Sequence, residues 1–285
     1  MPGRRAAPSV RLRRLAAQLR ELRDGAGLTQ EEVAERTGKD RSTLYRLEAA
    51  QVRPQRSTLI QLLDLYGVKG EHRDELLGLL KSADQRGWMQ PYQSALPAVY
   101  SDYISFEDEA AAISNYESLF IPGLLQTADY ARAQLRGTLP YANADEVEKR
   151  VTARMERQTV LDRDSPPKLW AIIDESAARR VVGSSAVMSA QLNHLIEASG
   201  RPNVTVQVIP FEAGAHPGMD GSFVVLEFES APEQTVVYTE SAAGGLFLEK
   251  DAEVRRYVLM FEYLRAAALR LEASADLLAR IAGGT

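Results

Sequence analysis

Residues 27–48, GLTQEEVAERTGKDRSTLYRLE, constrain this chain more tightly than any other stretch. Thr29 followed three residues later by Glu32 is the signature of a capping box, in which each side chain accepts from the other residue's backbone N–H. The helix it opens runs to Thr37 and stops at Gly38, the residue type that most readily ends a helix in the left-handed conformation. Asp40 is the next N-cap, for a helix through about Ala49. Val33, Ala34, Leu44 and Leu47 fall on the inward faces and hold the two short helices at a fixed angle. The outward face of the second carries Arg41, Ser42, Tyr45 and Arg46.

More helices surround this pair. Leu12, Leu15, Ala16, Leu19 and Leu22 recur at helical spacing before Gly25 and Gly27. Beyond a turn at Pro54, Leu59, Leu62, Leu63 and Tyr66 mark a fourth helix, and Leu76, Leu77 and Leu80 a fifth. The expectation is an all-α helix-turn-helix domain over residues 1–83. Charge points the same way. Residues 1–83 carry 16 Lys and Arg against 11 Asp and Glu, whereas the remainder carries 18 against 28. A basic part fits a polyanion partner, and an acidic remainder argues against a second nucleic-acid surface. A helix like the second can enter the major groove of double-stranded DNA with its N-terminal residues at the base edges. Arginine suits bidentate contact with guanine. For Arg41 and Arg46, base readout stands beside phosphate contact or a solvated position. Tyr45 is a backbone contact or a packed surface aromatic. Gln30, at the start of the preceding helix, can donate to a phosphate beside that helix's N-terminal dipole.

Gln30, Ala34, Gly38, Leu44, Leu47 and Glu48 sit without a gap in the pattern of the phage-repressor-type, or Xre, helix-turn-helix family, which residues 10–67 resemble. Tyr45 departs from the small polar residues often found at its position. The resemblance implies a phage-repressor-like fold and a buried ion pair between the first helix and the recognition helix, here Arg23 and Glu48. It also implies sequence-specific DNA binding as a transcriptional regulator. Operators are usually palindromic, so a homodimer is expected.

Residues 84–104, with Gly87, two prolines and several aromatics, read as a packed connector. From 105 to 285 the pattern is α+β, a small sheet wrapped by helices. Helices are predicted over 107–117, 127–136, 145–161, 175–182 and 186–198. A long helical stretch over 250–282 breaks near Ser274. Strands are predicted over 168–173, at Val204–Val206–Val208, at Phe223–Val225–Glu227 and over 236–239. The stripe Val254, Tyr257, Val258, Phe261 and Leu264 reads as core, or as a surface for a partner helix.

The segments YESLFIPGLLQTADYAR (116–132), RMERQ (154–158), DESAARRVVGSSAVMSAQLNHL (174–195), VQVIPFEAGAHPGMDGSFVVLEF (206–228) and VVYTE (236–240) resemble, in order and spacing, the effector-like segment behind Xre domains in actinomycete regulators of the WhiJ type. That resemblance implies a small partner protein encoded nearby. It also implies an alternative role as an antitoxin-like member of a toxin–antitoxin pair with autoregulatory DNA binding.

An enzyme tethered to DNA is the third reading. His216, in a loop between strands, and Glu240, at a strand end, are residue types suited to acid–base work. No nucleophile motif, phosphate-cradling glycine loop or metal-ligand spacing accompanies them, and a lone loop histidine is more often a structural hydrogen-bonder. No catalytic residue, cofactor or metal site is therefore expected. The chain has no cysteine, which fits a reducing compartment. No apolar run reaches the roughly 18 residues of a membrane span. The basic N-terminal stretch lacks a signal peptide's apolar core. A cytoplasmic, non-membrane protein is expected.

Overall fold

The computed structural model describes residues 10–82, 92, 96–229, 235–241 and 244–284. Most of the 84–104 stretch before Ala98 lies outside the described residues. The chain divides into two compact units, Met1–Pro91 and Tyr92–Thr285.

The first unit is helical: α1 (Val10–Gly25), α2 (Gln30–Thr37), α3 (Arg41–Glu48), α4 (Arg56–Leu65) and α5 (Gly70–Ser82). Its core joins Leu15 and Leu19 of α1, Val33 of α2, Leu44 and Leu47 of α3, Leu59, Leu62 and Leu63 of α4, and Leu76 and Leu80 of α5. The capping box at Thr29 is complete, since Thr29 Oγ1 accepts from the Glu32 N–H and Glu32 accepts from the Thr29 N–H. Gly38 closes α2 at φ 67°, which a β-carbon would strain. Asp40 takes the N-cap position of α3 but makes no side-chain cap bond. The Gln61 amide donates to the Thr37 carbonyl at 3.0 Å, tying the end of α2 to α4.

The second unit begins with α6 (Ala98–Glu109) and β1 (Ala112–Glu117). Then come α7 (Ala128–Thr138), α8 (Ala144–Gln158), β2 (Lys168–Asp174), α9 (Glu175–Arg179), α10 (Ser185–Ala198) and β3 (Val204–Ile209). It finishes with β4 (Phe223–Glu227), β5 (Val236–Ser241), β6 (Gly244–Leu248), α11 (Asp251–Ala267) and α12 (Leu271–Gly284). The strands form one six-stranded sheet in the order β3-β2-β1-β4-β5-β6. β1, β2 and β3 are parallel, joined by helical crossovers, while β4, β5 and β6 run antiparallel. One face packs against α11 through Tyr116, Ile172, Phe223, Val225, Phe261 and Leu264. On the other, Tyr103 of α6 stacks on Tyr238, and Phe106 meets Phe247 edge-on.

The structure corrects several expected elements. Residues 107–117 are not one helix: α6 ends at Glu109 and Ala112–Glu117 is β1, a strand inside the sheet between β2 and β4. The alanines and acidic residues there favour a helix locally, but pairing on both sides and burial on both faces override that preference. Helix α6 starts at Ala98, inside the expected connector, and belongs to the second unit. α9 ends at Arg179, because Arg180 is extended and Gly183 adopts φ 79°. The break in the C-terminal helical stretch lies between Ala267 and Leu271, not near Ser274. There the Leu269 N–H donates to the Val208 carbonyl at 2.9 Å, and Ser274 Oγ accepts from the Val208 N–H at 3.1 Å. Leu269 and Ser274 thus cover the Val208 backbone on the outer edge of β3.

Candidate nucleic-acid interface and the polar interior of the second unit

The frame of the first unit meets at one carboxylate. Arg23 Nε donates to Glu48 Oε1 at 2.7 Å and its Nη2 to Oε2 at 3.2 Å. Gln30 Nε2 donates to the same Oε2 at 2.7 Å. Arg23 also reaches the Leu28 carbonyl at 2.9 Å. The side chains of Arg23 and Glu48 are 12 % and 4 % exposed. The Glu48 hydrogen bond raises the Arg23 pKa above its ordinary value despite burial. Tyr66, packed nearby, is pushed up to about 12, chiefly by burial and then by the Glu48 charge. Carboxylate, guanidinium and carboxamide thereby lock α1, α2 and α3 together.

This lock leaves the outer face of α3 free. Arg41 and Ser42 are exposed, and Tyr45 is 54 % exposed. Arg41 Nε meets Glu31 Oε1 of α2 at 2.8 Å, with both side chains more than half in solvent. Such an exposed pair contributes little, about 0–1 kcal/mol. Arg46 is half-buried and folds along its own helix, donating to the Ser42 carbonyl at 3.2 Å. Gln30 is half-buried. One of its two amide protons is committed to Glu48, and the amide has a second to give.

In the second unit the structure separates His216 from Glu240. His216 Nε2 lies 3.2 Å from Asp174 Oδ2, and its ring stands edge-on to Tyr116. Glu240 instead acts on Glu117. Tyr116 and Glu117 are consecutive in β1 and so point to opposite faces of the sheet. Burial pushes Glu117 up to about 7, aided by the charge of Glu240 and opposed by hydrogen bonds from Ser222 and Asn115.

The largest polar cluster there was not anticipated from the sequence. Arg157 donates Nε and Nη2 to the two oxygens of Glu107, and Nη1 to the Tyr100 oxygen at 2.6 Å. Tyr103 Oη donates to Glu107 at 2.9 Å. Burial works against the guanidinium charge, but Glu107 and the two tyrosines outweigh it and hold the Arg157 pKa well above normal. A β-carbon at Gly123 would stand 3.3 Å from Arg157 Nη1, so glycine lets the chain pass close. Gln158 donates to the Gly123 and Gln126 carbonyls at 3.0 and 2.7 Å. Arg154 holds the side-chain oxygens of Gln126 and Gln134 at 2.8 and 2.7 Å. The segments IPGLLQ and RMERQ are therefore two halves of one hydrogen-bonded structure. The sequence signals were three arginines on α8, Arg150, Arg154 and Arg157, and the family-like segments IPGLLQ and RMERQ, none of which names Glu107 as the partner.

Residues 100–280, more than half of the chain, match the family described as a domain of unknown function, DUF5753. The chain belongs to that family. The buried Arg157–Glu107 cluster and the His216–Asp174 pair both fall within its DUF5753 domain. Residues 14–76 match a helix-turn-helix domain, which spans α2, α3 and the Arg23–Glu48 lock. That domain supports a role as a DNA-binding regulator. No curated protein matches the chain, and no solved structure does. Among the described residues, no helix is long and apolar enough to cross a membrane.

Proposed function

We propose that this DUF5753 protein is an Xre-type, sequence-specific transcriptional regulator that lays α3 in the major groove as a homodimer. The observation that carries this is the exposed face of Arg41, Ser42 and Tyr45 on a helix fixed by the Arg23–Glu48–Gln30 lock. A rigid, solvent-facing recognition helix needs no reordering to meet DNA. Arg41 gives up only an exposed ion pair with Glu31 when it reaches a base or phosphate. Arg46 contacts the duplex after unfolding from its own helix, and Gln30 offers its remaining amide proton to a phosphate.

The second unit, on this reading, binds a small protein encoded nearby, and that binding changes DNA affinity. Leu259 and Tyr263 of α11, 56 % and 61 % exposed, supply apolar surface for such a partner. Linkage makes the effect reciprocal, so DNA must alter partner affinity by the same factor.

A duplex selected from a random pool by the full chain is the probe. Arg41→Ala and Arg46→Ala are each expected to cost about 1–3 kcal/mol on it where the residue reads a base. Gln30→Ala is expected to weaken all sequences alike. Unchanged anisotropy titrations for the Arg41→Ala/Arg46→Ala double variant would remove α3 from the groove. Calorimetry of the neighbouring small protein with the full chain, with and without the duplex, tests the partner. No heat in either titration refutes that half of the reading.

A further inference from the structure

The α11 side of the sheet is unevenly filled. Toward one end, Tyr116, Ile172 and Phe223 fill the space under α11. Toward the other, the register places Ser114 opposite both Trp170 and Val225, and Trp170 opposite Thr205. Ala112 lies one step further along the same face. Small residues on this floor leave a cavity of about 340 Å³, walled by Trp170, Val225, Val258 and Phe261.

The aromatic wall is held in place before anything binds. The Trp170 indole N–H donates to Gln207 at 2.8 Å. The Arg265 guanidinium lies 3.8 Å over the indole ring and is neutralised by Glu262 at 2.7 and 3.0 Å. Two other lining residues, Lys168 and Glu227, differ. Both are exposed, and among the described residues neither side chain takes part in a hydrogen bond or ion pair. They are the register partners of Ala112 on its two sides. With strands about 4.8 Å apart, their backbones stand roughly 10 Å from each other across a methyl group.

We propose that this cavity binds a free apolar α-amino acid. A cation and an anion, unpaired and facing each other across a small residue, complement a ligand carrying one charge of each sign. The Lys168 ammonium takes the carboxylate and Glu227 takes the ammonium. The apolar side chain enters the hollow beside Trp170, Val258 and Phe261. The volume lies near the small end of the roughly 300–1,000 Å³ of ligand pockets, which favours a molecule of this size over a nucleotide. The site lies wholly within the second unit and does not depend on the DNA reading.

The test is calorimetric titration of the full chain with L-leucine, L-methionine and L-phenylalanine, and with the decarboxylated and deaminated analogue of each. At least one amino acid is expected to bind with one-to-one stoichiometry, and its two singly charged analogues about tenfold or more weaker. Lys168→Met and Glu227→Gln, both at exposed positions, are each expected to weaken it by a similar factor with unchanged circular dichroism. Val258→Trp fills the hollow and is expected to abolish binding without lowering Tm. No binding by any of the three overturns the proposal. So does equal affinity for the analogues, for both charge variants, or for the filled cavity.

Discussion

Among the described residues, each unit holds an arginine–glutamate pair away from water, and the two pairs are built differently. Arg23 and Glu48 sit at the edge of a small helical core, with the arginine still 12 % exposed and Gln30 sharing the carboxylate. Arg157 and Glu107 lie deep in the second unit, 5 % and 1 % exposed, with Tyr100 and Tyr103 closing around them. The first pair fastens three helices that must present one surface. The second joins α6 to α8 over a sheet face. Taking a charge out of water is costly unless every donor and acceptor is satisfied, so the deeper pair needs the fuller shell.

Breaking that shell tests the contrast. Arg157→Ala is expected to cost toward the upper end of the roughly 3–5 kcal/mol seen when one member of a buried pair is removed. Hydrogen exchange of the full chain is expected to speed up in α6, α8 and the sheet, leaving α1–α5 protected. Arg23→Ala is expected toward the lower end of the same range, because Gln30 still satisfies Glu48, with faster exchange confined to α1–α5. Equal losses in the two variants would show that the tyrosine shell adds nothing.

Glu117 adds a pH axis peculiar to the second unit. Its folded pKa, about 7, lies above the ordinary 4.5. The folded state therefore holds this proton more tightly than the unfolded state. Its contribution is complete below about pH 4.5 and is lost as pH rises to about 7, by at most about 3 kcal/mol. Glu117→Gln is expected to flatten that part of the profile in urea melts at successive pH values. An unchanged slope would mean that Glu117 is solvated. The smallest effect belongs to the first unit. Ala50 follows α3 at φ 54°, a conformation that costs a non-glycine residue about 1–2 kcal/mol. Partly offset by the lost methyl, Ala50→Gly is expected to stabilise the first unit by less than about 1 kcal/mol. Slower exchange in α3 and α4 is the readout.

The two units were also unequally legible. The first announces itself because its signals are local: Thr29 and Glu32 cap, Gly38 terminates, and leucines repeat at helical spacing. The pairing of Arg23 with Glu48 came from the family pattern, since no local rule joins residues 25 apart. In the second unit, β2 to β5 were visible as apolar or alternating runs. β1 was not, because Asn115 and Tyr116 are both buried and strict alternation is lost. β6 begins with Gly244 and Gly245, residues that ordinarily weaken a strand, and is not among the expected strands. The Arg157–Glu107 and His216–Asp174 partners lie 50 and 42 residues apart in sequence, and no local spacing reveals such pairs.

The seal on β3 has a consequence for solubility. VTVQVI, residues 204–209, is uncharged, rich in β-branched residues and free of proline, the composition of segments that stack into cross-β fibrils. In the folded chain the outward N–H and carbonyl of Val208 are taken by Ser274 and Leu269. Leu269 and the first turn of α12 therefore serve as a guard as well as a packing element. Local unwinding that released Leu269 and Ser274 would uncover an adhesive edge, so the segment entering α12 and its first turn protect the protein from its own strands.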